Sequence, residues 1–131
     1  MEEGISYVDC NASFGAHGAG VYRPCLTTAE LLAEMDWAGV DKALVHHALM
    51  RDQSPKVGNA ILAESIAGEP RLIGTWAILP PQTGELPPAP AFFADMQRAN
   101  VRALWAFPEE HRYILDRVTF GAFLDEVSER R

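Results

Sequence analysis

Four short apolar runs punctuate the chain: Ile5–Val8, Ala43–Val45 continuing into His46 and His47, Leu72–Leu79, and Val101–Phe107. Each is followed by a segment with helical signals. Thr27 and Glu30 have the spacing of a capping box, so a helix starts there, with Leu31, Leu32, Met35 and Ala38 on one face. Gly39 suits the residue just past its end, which turns left-handed. A second helix starts at Ser54-Pro55, a good cap followed by proline at the first helical position, and buries Val57, Ile61, Leu62 and Ile66 before Gly68. The third carries Phe92, Phe93 and Met96; the fourth begins near Thr119 and carries Phe120, Phe123, Leu124 and Val127.

A short apolar strand followed by an amphipathic helix, four times over, predicts an α/β fold with a parallel sheet and crossover helices. The strand starts recur at intervals of roughly 30 residues or somewhat more, close to the ~31 expected when ~250 residues make eight βα units. The arithmetic therefore gives four βα units, half of a closed barrel, within a single domain over residues 1–131. A doubly wound four-strand domain is the competing architecture, and periodicity does not choose between them.

Composition narrows the classes. Eleven basic against eighteen acidic residues leave a net charge of −7, which argues against nucleic acid as a partner. No apolar run approaches the ~18 residues needed to span a bilayer, which predicts no membrane segment. Met1-Glu2-Glu3-Gly4 is acidic and lacks the positive start of a secretory signal, so a cytoplasmic location is expected. Cys10 and Cys25 are too few for a disulfide framework and fit no zinc spacing.

In either architecture chemistry gathers where parallel strands end. That selects Asp9-Cys10-Asn11-Ala12-Ser13-Phe14-Gly15, His46-His47-Ala48-Leu49, Leu79-Pro80-Pro81-Gln82-Thr83-Gly84-Glu85-Leu86 and Phe107-Pro108-Glu109-Glu110-His111-Arg112-Tyr113. Together with Leu31-Leu32-Ala33-Glu34-Met35-Asp36, Ala38-Gly39-Val40-Asp41, Val57-Gly58-Asn59 and Pro70-Arg71-Leu72, these segments resemble the N-terminal half of the amidohydrolase superfamily, in its amidohydrolase-related, decarboxylase-like TIM-barrel branch. The likeness runs over nearly the whole chain and is nearest to an uncharacterised subgroup. Members of the superfamily often open with Asp-x-His-x-His-x-Gly, whose two histidines bind a divalent metal; in the subgroup an asparagine usually replaces the first. Here Asn11 and Ser13 occupy the two positions. An amide oxygen and a hydroxyl are poor substitutes for neutral imidazole, and the family's other ligands come from later strands. The expectation is thus no cofactor and no metal site of the family type, although the family as a whole uses a divalent ion.

Neighbours on a strand point to opposite faces, so only one of His46 and His47 reaches the barrel mouth; the resemblance favours His47, where acid–base work is chemically available. His111 is the second candidate acid–base group. Arg112, beside His111 and Tyr113, suits recognition of a carboxylate, against the plainer reading of a solvated loop held by Glu109 and Glu110. Asn11 and Ser13 are candidate substrate contacts, against the plainer reading of a polar turn. His17, among Gly15, Gly18 and Gly20, reads as part of a flexible connection; Trp76 and Trp105 read as packing residues; Cys10 and Cys25 show no activating base. The stretch Pro80–Pro90 reads as a rigid loop at the rim where the strands end.

The resemblance implies a hydrolase or lyase acting on a small carbonyl, amide, ester or carboxylate compound and inactive alone, its site completed by a second half. The other expectation is a non-catalytic, truncated or degenerate half-barrel with a binding or assembly role. A half-barrel has two open edge strands, so a homo-oligomer or a missing C-terminal half is the expected partner, with Ala43, Val45, Trp76 and Trp105 as candidates for the bare surface.

Overall fold

In the computed structural model, which describes residues 4–18 and 20–130, strands and helices alternate along the chain. Met1, Glu2 and Glu3 of the acidic start lie outside the described residues. The order is β1 (Val8–Phe14), α1 (Thr28–Ala38), β2 (Lys42–His47), α2 (Leu49–Asp52), α3 (Pro55–Ile66), β3 (Leu72–Ala77), a 3-10 turn (Pro81–Thr83), α4 (Ala89–Arg98), β4 (Val101–Trp105), α5 (Pro108–His111), α6 (Arg117–Phe120) and α7 (Ala122–Glu129). The strands form one sheet in the order β1-β2-β3-β4, and every neighbouring pair is parallel. A doubly wound sheet reverses direction at a switch point, and this strand order contains no reversal.

Crossovers of one hand that always step the same way carry their helices to the same side of the sheet. The packing agrees. Ala43, Val45, Leu72, Trp76 and Val101 share one buried cluster with Leu31 and Met35 of α1, Leu62 and Ile66 of α3, and Phe92 and Met96 of α4. A Cβ on Gly74 would come within 2.8 Å of Val101 and 3.0 Å of Ile66, so the absent side chain lets α3 seat closely on β3. On the other side lie Ser13, Leu44, His46, Ile73, Ala103 and Trp105, all half-buried, with Thr75 and Ala77. Ala43, Val45 and Trp76 therefore lie under the helices and are not bare surface; of the four candidates Trp105 alone stands on the open side. Alternation along a strand fixes two sets of side chains, and only contacts from outside the strand say which set faces the core.

The helix starts follow their caps. Thr27 Oγ1 accepts from the Glu30 N–H at 3.2 Å, while the Glu30 carboxylate reaches back to the Leu26 N–H at 2.7 Å. Gly39 ends α1 at φ 72°. Ser54 caps α3, yet the buried face is rotated from the expected one: Val57 is exposed, and Gly58 and Asn59 face inward with Leu62 and Ile66. Two contacts force that phase. A Cβ on Gly58 would lie 2.5 Å from the Met50 nitrogen, and the Asn59 amide both donates to the Ala77 carbonyl and accepts from its N–H, each at 2.9 Å. The fourth helix is two pieces. Asp116 caps α6 through the Thr119 N–H at 2.7 Å, and Gly121, at φ 38°, breaks it from α7.

The first strand lies later than its apolar run, at Val8–Phe14 in place of Ile5–Val8. Its polar residues extend because β2 supplies a ladder, interrupted by a bulge between Asp9 and Ala12. At the opposite end of the sheet from the strand tips, Arg71 donates to the carbonyls of Asp41 at 2.9 Å and Val40 at 2.8 Å and pairs with Asp36 at 2.7 Å, which ties β3 to the end of α1.

Asn59→Ala is expected to lower unfolding free energy by about 2–4 kcal/mol, because it strands a buried N–H and a buried C=O together. Urea denaturation checks it; a loss below 1 kcal/mol, on the order of an exposed substitution, contradicts this account of α3.

Candidate functional site

All four histidines of the chain come to the end of the sheet where the strands terminate: His17 just after β1, His46 and His47 at the tip of β2, and His111 after β4. Each is placed by a local device. The chain turns after β1 at Gly15, φ 100°, whose N–H donates to the Cys25 carbonyl at 2.9 Å. Gly18 N–H donates to the Asp52 carboxylate at 2.6 Å, so the glycine-rich loop read as a flexible connection is pinned to α2. This brings His17 Nε2 to 3.3 Å from Ser13 Oγ.

His46 is the residue of its pair that shares the open side of the sheet with Ser13, its partner in register. It packs against Trp105 at 5.5 Å and Phe107 at 6.3 Å between ring centroids. Its Nδ1 is buried and has no hydrogen-bond partner among the described residues. Burial holds its pKa down at about 4, helped by the neighbouring His17 and His47 and opposed by the Ala12 backbone. An imidazole in that state is neutral at ordinary pH.

His47 lies on the same side as Ala43 and Val45, edge-on to Phe14 at 4.9 Å. The Leu49 N–H donates to its Nδ1 at 3.2 Å, which puts the proton of the neutral ring on Nε2. A Cβ on Gly15 would lie 2.6 Å from that Nε2, so the loop can pass over the ring only as glycine. Of the pair, His46 stands on the open side of the sheet, while His47, which the resemblance favoured, stands beneath the β1 loop; burial, then His17, lower its pKa.

His111 closes α5. Its Nε2 donates to the Arg51 carbonyl at 3.0 Å, an acceptor only, so Nδ1 carries the lone pair; that Nδ1 is buried without a partner. Arg51 in turn pairs with Glu110 at 2.7 Å, which binds the loop after β4 to the helix after β2 across the end of β3. Phe107 stands between the two partnerless imidazoles, stacked on Trp105 at 5.8 Å and edge-on to His111 at 5.7 Å. Tyr113 fixes this aromatic row. Its hydroxyl accepts from the Phe107 N–H at 3.1 Å and donates to the Ile78 carbonyl at 3.3 Å, and burial raises its pKa.

The remaining candidates stand apart from this row. Asn11 is exposed at the bulge of β1, its N–H turned to the Asp9 carboxylate at 2.8 Å. Arg112 takes φ 60° at the end of α5 and lines an open surface depression with Pro108, Glu109, Tyr113 and Ile114. The Pro80–Pro90 stretch leaves the tip of β3 as expected and folds outward, against Phe92 and Phe123. Sequence reasoning missed His46 and Asn59. For His46 the signal was there, since its alternation with Leu44 separates it from Ala43 and Val45.

The residues in the metal positions do not fit an ion. Asn11 offers an amide oxygen at an exposed bulge, Ser13 Oγ is engaged with His17, and no three His, Cys, Asp or Glu side chains among the described residues are grouped to hold a metal.

His46 is expected to stay neutral down to about pH 4, and its 15N-edited imidazole titration checks this. Because the pKa is lower folded than unfolded, the neutral ring's contribution is complete above the ordinary value of 6.5 and is lost as pH falls towards 4. Urea midpoints should therefore rise with pH across that window, and His46→Gln should flatten the rise; an unchanged slope contradicts the assignment. Comparison of the chain with protein-family models, with curated proteins and with solved structures finds no match.

Proposed function

We propose that this chain is one half of a (β/α)8 barrel of the amidohydrolase-related kind, and that its strand-tip rim does acid–base and hydrogen-bonding work on a small carbonyl, ester, amide or carboxylate compound, as a hydrolase or lyase whose site a second half completes. The observation that carries this reading is the pair of buried imidazole nitrogens, His46 Nδ1 and His111 Nδ1, left without partners at the carboxyl ends of parallel strands. Buried polar atoms are seldom left unpaired, and where they are, a missing ligand is a physical explanation. The strand order supports the half-ring: it steps one way only, as a barrel requires.

In this reading His111 is the base, its lone pair set on Nδ1 by the Arg51 carbonyl. His46, neutral and pressed against Trp105, is the second proton-handling group. His47 is a positioning residue that holds the β1 loop through Gly15, and Ser13 orients His17. Asn11 and Arg112 stand outside the row and take no part in the proton transfers; Arg112, beside His111 in sequence, is the cation that draws carboxylates to this end of the sheet. No step is assigned to a metal, since the donors at Asn11 and Ser13 do not suit one. Those same donors favour a second reading, a half-barrel that binds a small carboxylate and does no chemistry.

Benzoate and acetate titrations followed by imidazole 15N shifts test the site. Saturation at His46 and His111 with a millimolar Kd, weakened at least tenfold by His111→Gln, is expected; linear shifts that ignore the substitution would refute it. Hydrolysis of 4-nitrophenyl acetate that depends on His111 selects the enzyme over the binding module.

A further inference from the structure

The sheet has two outer strands, and they are unlike one another. Along β1 and the segment leading into it, Val8, Asp9, Cys10 and Asn11 are all exposed, and the apolar Ile5, Tyr7 and Val8 are 78%, 59% and 51% accessible. The residue leading into the strand is nevertheless bonded beside β2: the Tyr7 carbonyl accepts from the Asp41 and Lys42 N–H groups at 2.9 and 3.3 Å, and the Tyr7 N–H donates to the Asp41 carboxylate at 2.8 Å. This is a strand bonded to β2 along one edge, with exposed residues along the other.

The outer edge of β4 is instead a trough. A cavity of about 560 Å³ runs along the four consecutive residues Val101–Leu104, walled by Phe93 and Met96 of α4, by Val127 of α7 and by Arg130 just past its end. Consecutive strand residues can line one groove only if it follows the backbone edge, since their side chains alternate. Helix α7 thus overhangs the place where the next strand of a parallel sheet would lie. Arg102 is exposed on this edge and has no ion-pair partner among the described residues, whereas Asp9 is exposed on the edge of β1.

We infer that the two edges fit one another, and that the occupant of the β4 trough is the β1 edge of a second copy of this chain. A two-fold axis parallel to the barrel axis places β1 of each copy against β4 of the other, so one operation satisfies both edges of both molecules and leaves no open strand. Ile5, Tyr7 and Val8 bring apolar surface to a trough walled by Phe93, Met96 and Val127, and Asp9 brings a carboxylate to Arg102. The half-covered face with Leu44, Ile73, Ala103 and Trp105 becomes the inside of an eight-stranded ring, where side chains from all strands interleave. The net charge of −7 on each copy opposes association, but at 0.15 M salt charges more than about 8 Å apart are largely screened. The pairing rests on the half-ring reading above and extends it: His46 and His111 of both copies come to one rim, so the site is built from two chains.

Sedimentation equilibrium of the intact chain at about 5–50 µM tests this, alongside 1-anilinonaphthalene-8-sulfonate fluorescence as a probe for bare apolar surface. A particle of twice 14.4 kDa with little dye bound is expected. Tyr7→Asp and, separately, Arg102→Glu should each weaken association at least tenfold with unchanged far-ultraviolet circular dichroism; both replace exposed side chains, so the fold tolerates at least one. A dimer indifferent to both substitutions overturns the inference. A monomer that binds the dye strongly also overturns it, while leaving the half-ring reading in place with another chain as the occupant. A monomer that binds no dye overturns the pairing and the half-ring together.

Discussion

The order in which the strands are laid down governs this molecule. Each strand lies beside the one before it, in the same direction, three times in succession. A chain that steps one way around a sheet deposits its connecting helices on one side and leaves the other only partly covered. From that single asymmetry come the dense cluster under α1, α3 and α4, the half-covered face carrying His46 and Trp105, and the two unlike edges. In a doubly wound sheet the same strands are covered on both faces and their tips diverge at a crevice.

The two ends of the sheet divide the labour. At the end where the strands begin, Arg71 spends its guanidinium on two carbonyls and the Asp36 carboxylate, and its backbone N–H on Glu69. All three guanidinium nitrogens of Arg71 are engaged there. Where the strands finish, the hydrogen bonds go to fixing rings in place: Leu49 N–H on His47, the Arg51 carbonyl on His111, the Tyr113 hydroxyl between Phe107 and Ile78. On His47 and His111 the bond takes one ring nitrogen, while the Tyr113 hydroxyl is used in both directions. A rim built this way holds its rings in fixed orientations.

Much of the architecture was legible in the residues. Caps at Thr27 and Ser54 and the aromatic stripe Phe92–Phe93–Met96 act within a turn or two, so local rules find them. Three of the four strands carry apolar runs that announce them. The first does not, because Val8–Phe14 extends through pairing with β2 and not through its own apolar content. The phase of α3 and the side of β2 that faces the helices were likewise hidden. Both are settled by contacts between residues far apart in sequence, such as Gly58 with Met50 and Asn59 with Ala77. At the rim, the residue types at the strand tips were readable, but choosing His46 over His47 needed the register of three strands.

Asn59 has one more consequence. Its amide donates to and accepts from the same residue of β3, as a peptide group on an adjacent strand would. Layers of helices on sheets commonly accommodate change by small sliding displacements, and a side chain stitched into the backbone in this manner removes that freedom for α3. The segment after β2 is held to α3 as well, by the close approach of Gly58 to Met50, and it reaches the segment after β4 through Arg51, which pairs with Glu110 and whose carbonyl accepts from His111. A single side-chain amide thus sets the register of α3 on β3 as a neighbouring strand would.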